Sequence, residues 1–544
     1  MNRNEAPDFF RVPPFPGARP ASLMGPHNLD GVSGDDAHRL IAMLAERRVG
    51  GSFWGARPAL PTRPYTLVRA QTYQRFGGQE TAAPLLFWQS DPDAATREGH
   101  TIYGECDPWH LVNGATEVIA EGSDELVLVA AIAGVPVHCV SEGCYSQLAA
   151  DPASLPELFK RLFLDTRGYA DPFTRQPITL AELIELLTFW KELIDSNRQI
   201  EAAVGFAFWK QPTVAPLLWN GSTEVRFINH AATEPDGAVA IWKSRTPTAD
   251  LAALEESGVR LLEVEDGFIR SAGLGADCVP PLSIIVDRSG IYFDPTQPSD
   301  LESLLHTGNF DAGVLERARH LREIIVASGI SKYEQATAHL KRRVPRAHLL
   351  VPGQVEDDRS VQSGGGDVRT NLELLKRVRR TSPDAYILYK PHPDVEAGHR
   401  IGAVPEAQVL QFADEIVRDL PISALIDLCD EVHVNTSLAG FEALLRGKAV
   451  TTHGVPFYAG WGLTRDLGAV PARRAARRSL DELVAATLML YPRYLDPHTG
   501  LPCPPEILVK RLADGQSQGG NHFLVAIRRL QGRLKRAMAK AMRR

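Results

Sequence analysis

The sequence has no CxxC pair, no HExxH, no run of 18 apolar residues, and no grouping of His, Cys and acidic residues at metal-ligand spacing. Its six cysteines, Cys106, Cys139, Cys144, Cys278, Cys429 and Cys503, are scattered over 544 residues. That excludes a disulfide scaffold and a structural zinc site, and it fits a reduced, cytosolic protein. No GxGxxG follows a β-type run and no GxxxxGK[ST] occurs, so dinucleotide-binding and Walker-type readings fail. The N-terminal MNRNEAPDFFRVPPFPGARP lacks the continuous apolar core of a signal peptide; neither export nor a membrane span is expected. What is present is ordinary globular composition, 44% hydrophobic and 23% charged. The length predicts about three or four folding units at roughly 100–200 residues each.

The net charge of −7 conceals an asymmetry: His522 to Arg544 carry eight Lys/Arg and no acid, so the remainder stands at −15. In this tail Phe523, Ile527, Leu530, Leu534, Met538 and Met542 recur at helical spacing. An apolar stripe with basic flanks is the pattern of a helix lying on an anionic lipid surface, the reading preferred here over a helix packed on its own protein.

The chain repeats itself. Thr116–Val140 (TEVIAEGSDELVLVAAIAGVPVHCV) aligns with Asp430–Gly454 (DEVHVNTSLAGFEALLRGKAVTTHG). Downstream, SLPEL at Ser154 matches SLDEL at Ser479, and GYADPFTRQP around Tyr169 matches RYLDPHTGLP around Tyr494, both at an offset of 325. Each copy reads as strand, turn, apolar helix, strand, the alternation of a parallel sheet with helices on its faces. The first copy is impoverished: where the second has YKPHPDVEAG, it has WQSDPDAATREG, so Gln89 and Asp91 replace Lys390 and His392. The expected organisation is a degenerate nucleotide-binding half-module (1–150), a helical connector (151–215), an acceptor-side α/β domain (216–345), a second α/β domain (346–515) and a basic amphipathic helix (516–544).

Four clusters in the second half place polar residues where parallel strands end, the usual ligand position in open α/β sheets. EVEDGFIRS presents Glu265 and Asp266, either able to serve as general acid/base, followed by Arg270; a solvated strand-end turn explains the same residues. VPGQVEDDRSVQSGGG offers Gln354, Asp358 and Ser360 before a glycine run, with Asp358 placed for nucleophilic or electrostatic work. LYKPHPDVEAG ends a strand in Lys390-Pro391-His392-Pro393, where two prolines stiffen a basic rim suited to a departing phosphate. VHVNTSLAGFEALLRG runs from a strand through Asn435, Thr436 and Ser437 into a helix whose N-terminus is either an anion site or an ordinary cap.

Taken in order, EDGFIRS, PLSIIVDRSGIYFDPTQPSDLE, QVEDDRS, KPHPDVEAG, VNTSLAGFEALLRGKAV and PFYAGWGLT resemble the KpsC/LipA-type capsular polysaccharide β-Kdo transferases, strongly from about Phe206 to Leu512. The resemblance implies a GT-B-like pair of Rossmann-type domains plus an additional degenerate N-terminal Rossmann-like half-module. It implies transfer of Kdo from CMP-β-Kdo with retained configuration to a glycolipid or growing Kdo-oligosaccharide, without metal or cofactor. Asp358 then falls on the family's nucleophile, with Glu265 or Asp266 as acid/base. Gln354, Ser360, Lys390, His392, Pro393, Asn435, Thr436, Ser437 and Glu442 fall on the donor side, and Arg270, Tyr458 and Trp461 on the acceptor and sugar side. Other implied partners are capsule assembly proteins and the inner face of the cytoplasmic membrane, the latter through residues 522–544; no nucleic acid is expected. Two other readings share these residues: a transferase for another CMP-activated ulosonic acid, and an inactive glycolipid-binding scaffold.

Overall fold

Runs such as HLLVP, YILYK and EVHV are apolar on both faces, as strands buried in the middle of a parallel sheet must be. The computed structural model describes residues 8–26, 36–72, 83–89, 100–228, 237–269, 279–328 and 344–515. The chain divides into two units. One comprises Met1–Glu201, Ala215–Arg226 and His498–Pro502; the other comprises Ala202–Val214, Phe227–Pro497 and Cys503–Arg544. Arg270 and the tail 522–544 lie outside the described residues. Among the described residues no helix is long and apolar enough to cross a membrane.

The first unit holds a five-stranded sheet of Tyr65–Arg69 (β1), Leu85–Gln89 (β2), His100–Tyr103 (β3), Ala115–Ala120 (β4) and Val137–Cys139 (β5). The strands are parallel and lie in the order β3-β2-β1-β4-β5. Residues 151–215, expected as a separate connector, are divided instead: through Glu201 they belong to this unit. The reason is apolar. Helix Leu180–Asn197 buries Leu183, Ile184, Leu187, Trp190 and Ile194 and packs on Ala37–Arg47, and Trp190 Nε1 donates to Pro502 O at 2.8 Å.

The second unit contains two sheets. The seven-stranded one includes Ile200–Val204 (β6), which belongs to this unit from Ala202 on, Ala238–Ile241 (β7), Leu261–Asp266 (β8) and Ser283–Asp287 (β9), with β7 and β8 parallel and β9 antiparallel to β8. The six-stranded one is built from His348–Pro352 (β10), Tyr386–Lys390 (β11), Glu415–Ile416 (β12), Glu431–Val434 (β13), Ala449–Thr452 (β14) and Arg465–Asp466 (β15). Its order is β12-β11-β10-β13-β14-β15, all parallel. This is the doubly wound pattern, with its switch point between β10 and β13. Afterwards the chain returns to the seven-stranded sheet, where Pro492–Leu495 (β16) pairs antiparallel with β9.

The sequence repeat is also a structural repeat. The first-unit sheet follows the same strand order as the six-stranded sheet, one position short. Ser154 and Ser479 each precede a short helix that widens into a π-turn and then a strand. Tyr169 donates to Phe163 O at 2.9 Å and Tyr494 to Leu488 O at 2.7 Å, each reaching six residues back. Arg175 (φ 63°) and Gly500 (φ 71°) occupy the same left-handed turn position.

Within the six-stranded sheet, His433 and His453 meet out of water, Nδ1 to Nε2 at 3.1 Å, each 1% exposed. Burial holds His453 down to about 3 from an ordinary 6.5, with the adjacent His433 and Arg377 adding repulsion and Glu431 opposing it. The folded state therefore refuses a proton that the unfolded chain takes near pH 6.5, so this contribution is complete above that pH and is lost as pH falls toward 3. Chemical denaturation between pH 6.5 and 5 is expected to show a loss of about 1 kcal/mol per pH unit that His453→Gln removes. An identical slope in the variant contradicts the assignment.

Candidate active site

Loops following β8, β10, β11 and β13 converge within the second unit on a cavity of about 580 Å³. Seven of the residues singled out in the sequence line it: Glu265, Gln354, Asp358, Ser360, His392, Thr436 and Ser437.

The scaffold of this site is Gln354. Its Oε1 accepts the backbone N–H groups of Asn435 and Thr436, both at 3.1 Å, and its Nε2 donates to Thr436 Oγ1 at 3.0 Å. Asn371 holds its backbone from the other side, accepting its N–H and donating to its carbonyl, each at 2.8 Å. The side chain is thus consumed in joining the β10 loop to the β13 loop. Beyond it, Asp358 is exposed and caps helix Arg359–Gly364, accepting from Ser360 N at 2.9 Å and Ser360 Oγ at 2.7 Å. Ser437 caps helix Leu438–Leu445. His392 starts the short helix Pro393–Glu396, and its Nδ1 accepts from Asp394 N at 3.2 Å, which places the neutral ring's proton on Nε2.

Strand alternation separates the two acids that the sequence left equivalent, because neighbouring residues point to opposite faces. Glu263 and Glu265 share one side, where Arg359 Nη1 reaches them at 2.8 and 3.2 Å. Asp266 is turned away, held at 3.0 Å by Lys210 Nζ, whose ammonium lies 3.3 Å from the centre of the Trp242 ring. Burial pushes the Glu265 carboxyl up to about 7; Arg359 pulls against this, while Asp266 and Glu263 reinforce it.

Several expected site residues do not line the cavity. Lys390 Nζ donates to Arg418 O at 2.6 Å. Pro393 is exposed at the start of its helix, and Glu442 is half-buried on helix Leu438–Leu445. Asn435 is 4% exposed and donates to Val368 O. Tyr458 and Trp461, expected on the sugar side, are core residues instead, fully buried with their polar atoms donating to Ser437 O and Phe457 O. A Cβ at Gly440 would collide with Tyr458 Oη. Conversely, Arg359, Arg400 and the aromatic wall of Phe268, Tyr292, Phe293 and Phe457 line the cavity without having been singled out. Arg359 directly follows Asp358, but its partners lie 94 and 96 positions upstream, beyond any local pattern.

A parallel sheet of this order and a second sheet share a polar cavity at their strand ends, which defines the chain as an α/β protein with its candidate site at the usual ligand position. Residues 237–494 match the family described as capsule polysaccharide biosynthesis protein. The chain is 39% identical over 355 residues to the capsule polysaccharide modification protein LipA of Neisseria meningitidis serogroup A, a match covering 64% of this chain and 50% of that one. It is 45% identical over 244 residues to the lipopolysaccharide-processing protein LpsZ of Rhizobium meliloti, covering 44% and 55% respectively. Among solved structures, a β-Kdo 2,4-transferase of KpsC from Thermosulfurimonas dismutans is 33% identical with a TM-score of 0.51, covering 58% of this chain and 98% of that one. The chain belongs to the KpsC/LipA-type capsular Kdo transferase family. It spans about half the length of the curated LipA relatives it matches.

Gln354→Ala leaves the buried N–H of Asn435 and the part-buried N–H of Thr436 without their acceptor. Chemical denaturation is expected to show a stability loss of about 2–4 kcal/mol. Unchanged stability with altered activity alone would assign Gln354 to ligand contact rather than to scaffolding.

Proposed function

We propose that the chain transfers β-Kdo from CMP-β-Kdo to a glycolipid or growing Kdo-oligosaccharide of capsule assembly, with retention of configuration, by two displacements at the cavity of the second unit. The observation that carries this reading is one cavity lined by carboxyls in contrasting surroundings, exposed Asp358 with its neighbour Asp357 on one side and half-buried Glu265 on the other. Divergent environments of this kind divide nucleophile from acid/base. Asp358 attacks the anomeric carbon as the bond to the CMP phosphate breaks. Glu265 gives its proton to the departing oxygen, and the acceptor hydroxyl later returns one to Glu265 as it displaces Asp358. His392, Arg400, which pairs with Asp357 at 3.1 Å, and the start of helix Leu438–Leu445 line the cavity, and on this reading they meet the phosphate charge. No step is assigned to a metal.

The first-unit sheet is read as a degenerate copy. At its corresponding helix start a carboxylate, Asp124, caps the helix by accepting from Leu126 N at 2.9 Å, and Arg69 Nε pairs with it at 2.8 Å. An anion of the chain's own thus takes the helix-cap role that Ser437 has in the second copy, which supports one active site and one linkage per chain. The basic tail is read as docking the enzyme on the anionic inner face of the cytoplasmic membrane.

In an assay with CMP-β-Kdo and glycolipid acceptor in anionic vesicles, Glu265→Gln is expected to lower kcat by about 10²–10⁴-fold. The product carries a single linkage type, and removal of residues 522–544 lowers the rate on vesicles but not on soluble acceptor. Two linkage types from one purified chain, or full activity in Glu265→Gln, would overturn the respective part of the reading.

A further inference from the structure

Arg359 projects from the helix that Asp358 caps to the opposite wall of the cavity. Its Nη1 meets Glu263 Oε1 at 2.8 Å and Glu265 Oε1 at 3.2 Å, and its guanidinium stands 4.8 Å from the centre of the Phe293 ring. The charged groups around Glu265 are Glu263 and Asp266 on its own strand, Arg359 from the opposite wall, and Lys210. Lys210 is committed to Asp266 at 3.0 Å, and Lys243 lies at 3.3 Å from Glu263. Among the described residues, the ion pair made by Glu265 is with Arg359. Arg359 also keeps 35% of its side-chain surface open and lines the cavity. An incoming anion therefore competes with two carboxylates for one guanidinium.

We propose that Arg359 is a switchable counter-ion, holding Glu263 and Glu265 while the cavity is empty and passing to the negative charge of the donor, ester phosphate or sugar carboxylate, when it is filled. This rests on the donor reading above. Glu265 then loses its cation as a new anion approaches, both of which disfavour its ionised form, and it takes up a proton from solvent. Glu263 retains Lys243, so only Glu265 is left to respond. Donor binding thereby raises the share of Glu265 that carries the hydrogen delivered to departing CMP. Arg359 acts here as a positioning residue, through Glu265.

The test is calorimetric titration at pH 7.5 in two buffers of different ionisation enthalpy, which counts protons taken up per ligand bound. CMP is the probe for the wild-type chain, and CMP-β-Kdo for the Asp358→Asn chain, where transfer is blocked. Uptake is expected to exceed that of the matching Glu265→Gln chain by roughly half a proton. Arg359→Gln, in which Glu265 has already lost its cation, should fall to the Glu265→Gln level. The excess with CMP assigns the exchange to phosphate; an excess confined to CMP-β-Kdo assigns it to the sugar carboxylate. Binding of both ligands with equal uptake in all chains overturns the counter-ion exchange and leaves the transferase reading intact. If neither ligand binds, the donor reading falls and the exchange with it.

Discussion

The active region depends on one carboxamide. Gln354 closes hydrogen bonds to two backbone N–H groups and a hydroxyl of the β13 loop while its own backbone is clamped by Asn371. Free N–H groups at a strand-to-helix junction are costly when buried, and a planar side chain that satisfies both fixes the distance between two loops. Asp358, four residues on, inherits its place from that lock. So does the helix start at Ser437, which Tyr458 steadies from the core through the Ser437 carbonyl.

Chemistry at the site follows from unequal solvation. Glu265 sits on a buried sheet strand with a second acid two residues away on the same face, and one guanidinium offsets both. Asp358 lies at an exposed helix start, its Oδ1 fixed by the Ser360 amide and hydroxyl. The two groups come from different sheets, and their unequal exposure is what supports the proposed division between nucleophile and acid/base.

Much of this was legible in the chain, for reasons that can be stated residue by residue. That Glu265, Asp358, His392 and Thr436 line one cavity is legible because parallel strands end in polar loops, and strand ends are visible as apolar runs stopping at glycine or proline. The repeat was found because its tyrosines, turn residues and apolar helices recur at fixed offsets. Long-range partners were not legible: nothing near Arg359 announces Glu263 and Glu265. Aromatic residues misled for a related reason. Tyr458 and Trp461 carry the composition of a sugar platform and of a core alike, and here the core claims them, while Phe268, Tyr292, Phe293 and Phe457 form the cavity wall. The apolar face of Leu180–Asn197 packs on a helix more than a hundred residues upstream, a pairing that no local pattern shows.

The central claim is that Asp358 bonds to the sugar during turnover. Intact-protein mass after incubation with CMP-β-Kdo, without acceptor, tests it most directly. One added Kdo residue is expected on the wild-type chain and none on Asp358→Asn. An adduct that persists in Asp358→Asn would contradict it, as would acceptor-dependent CMP release by Asp358→Asn at the wild-type rate.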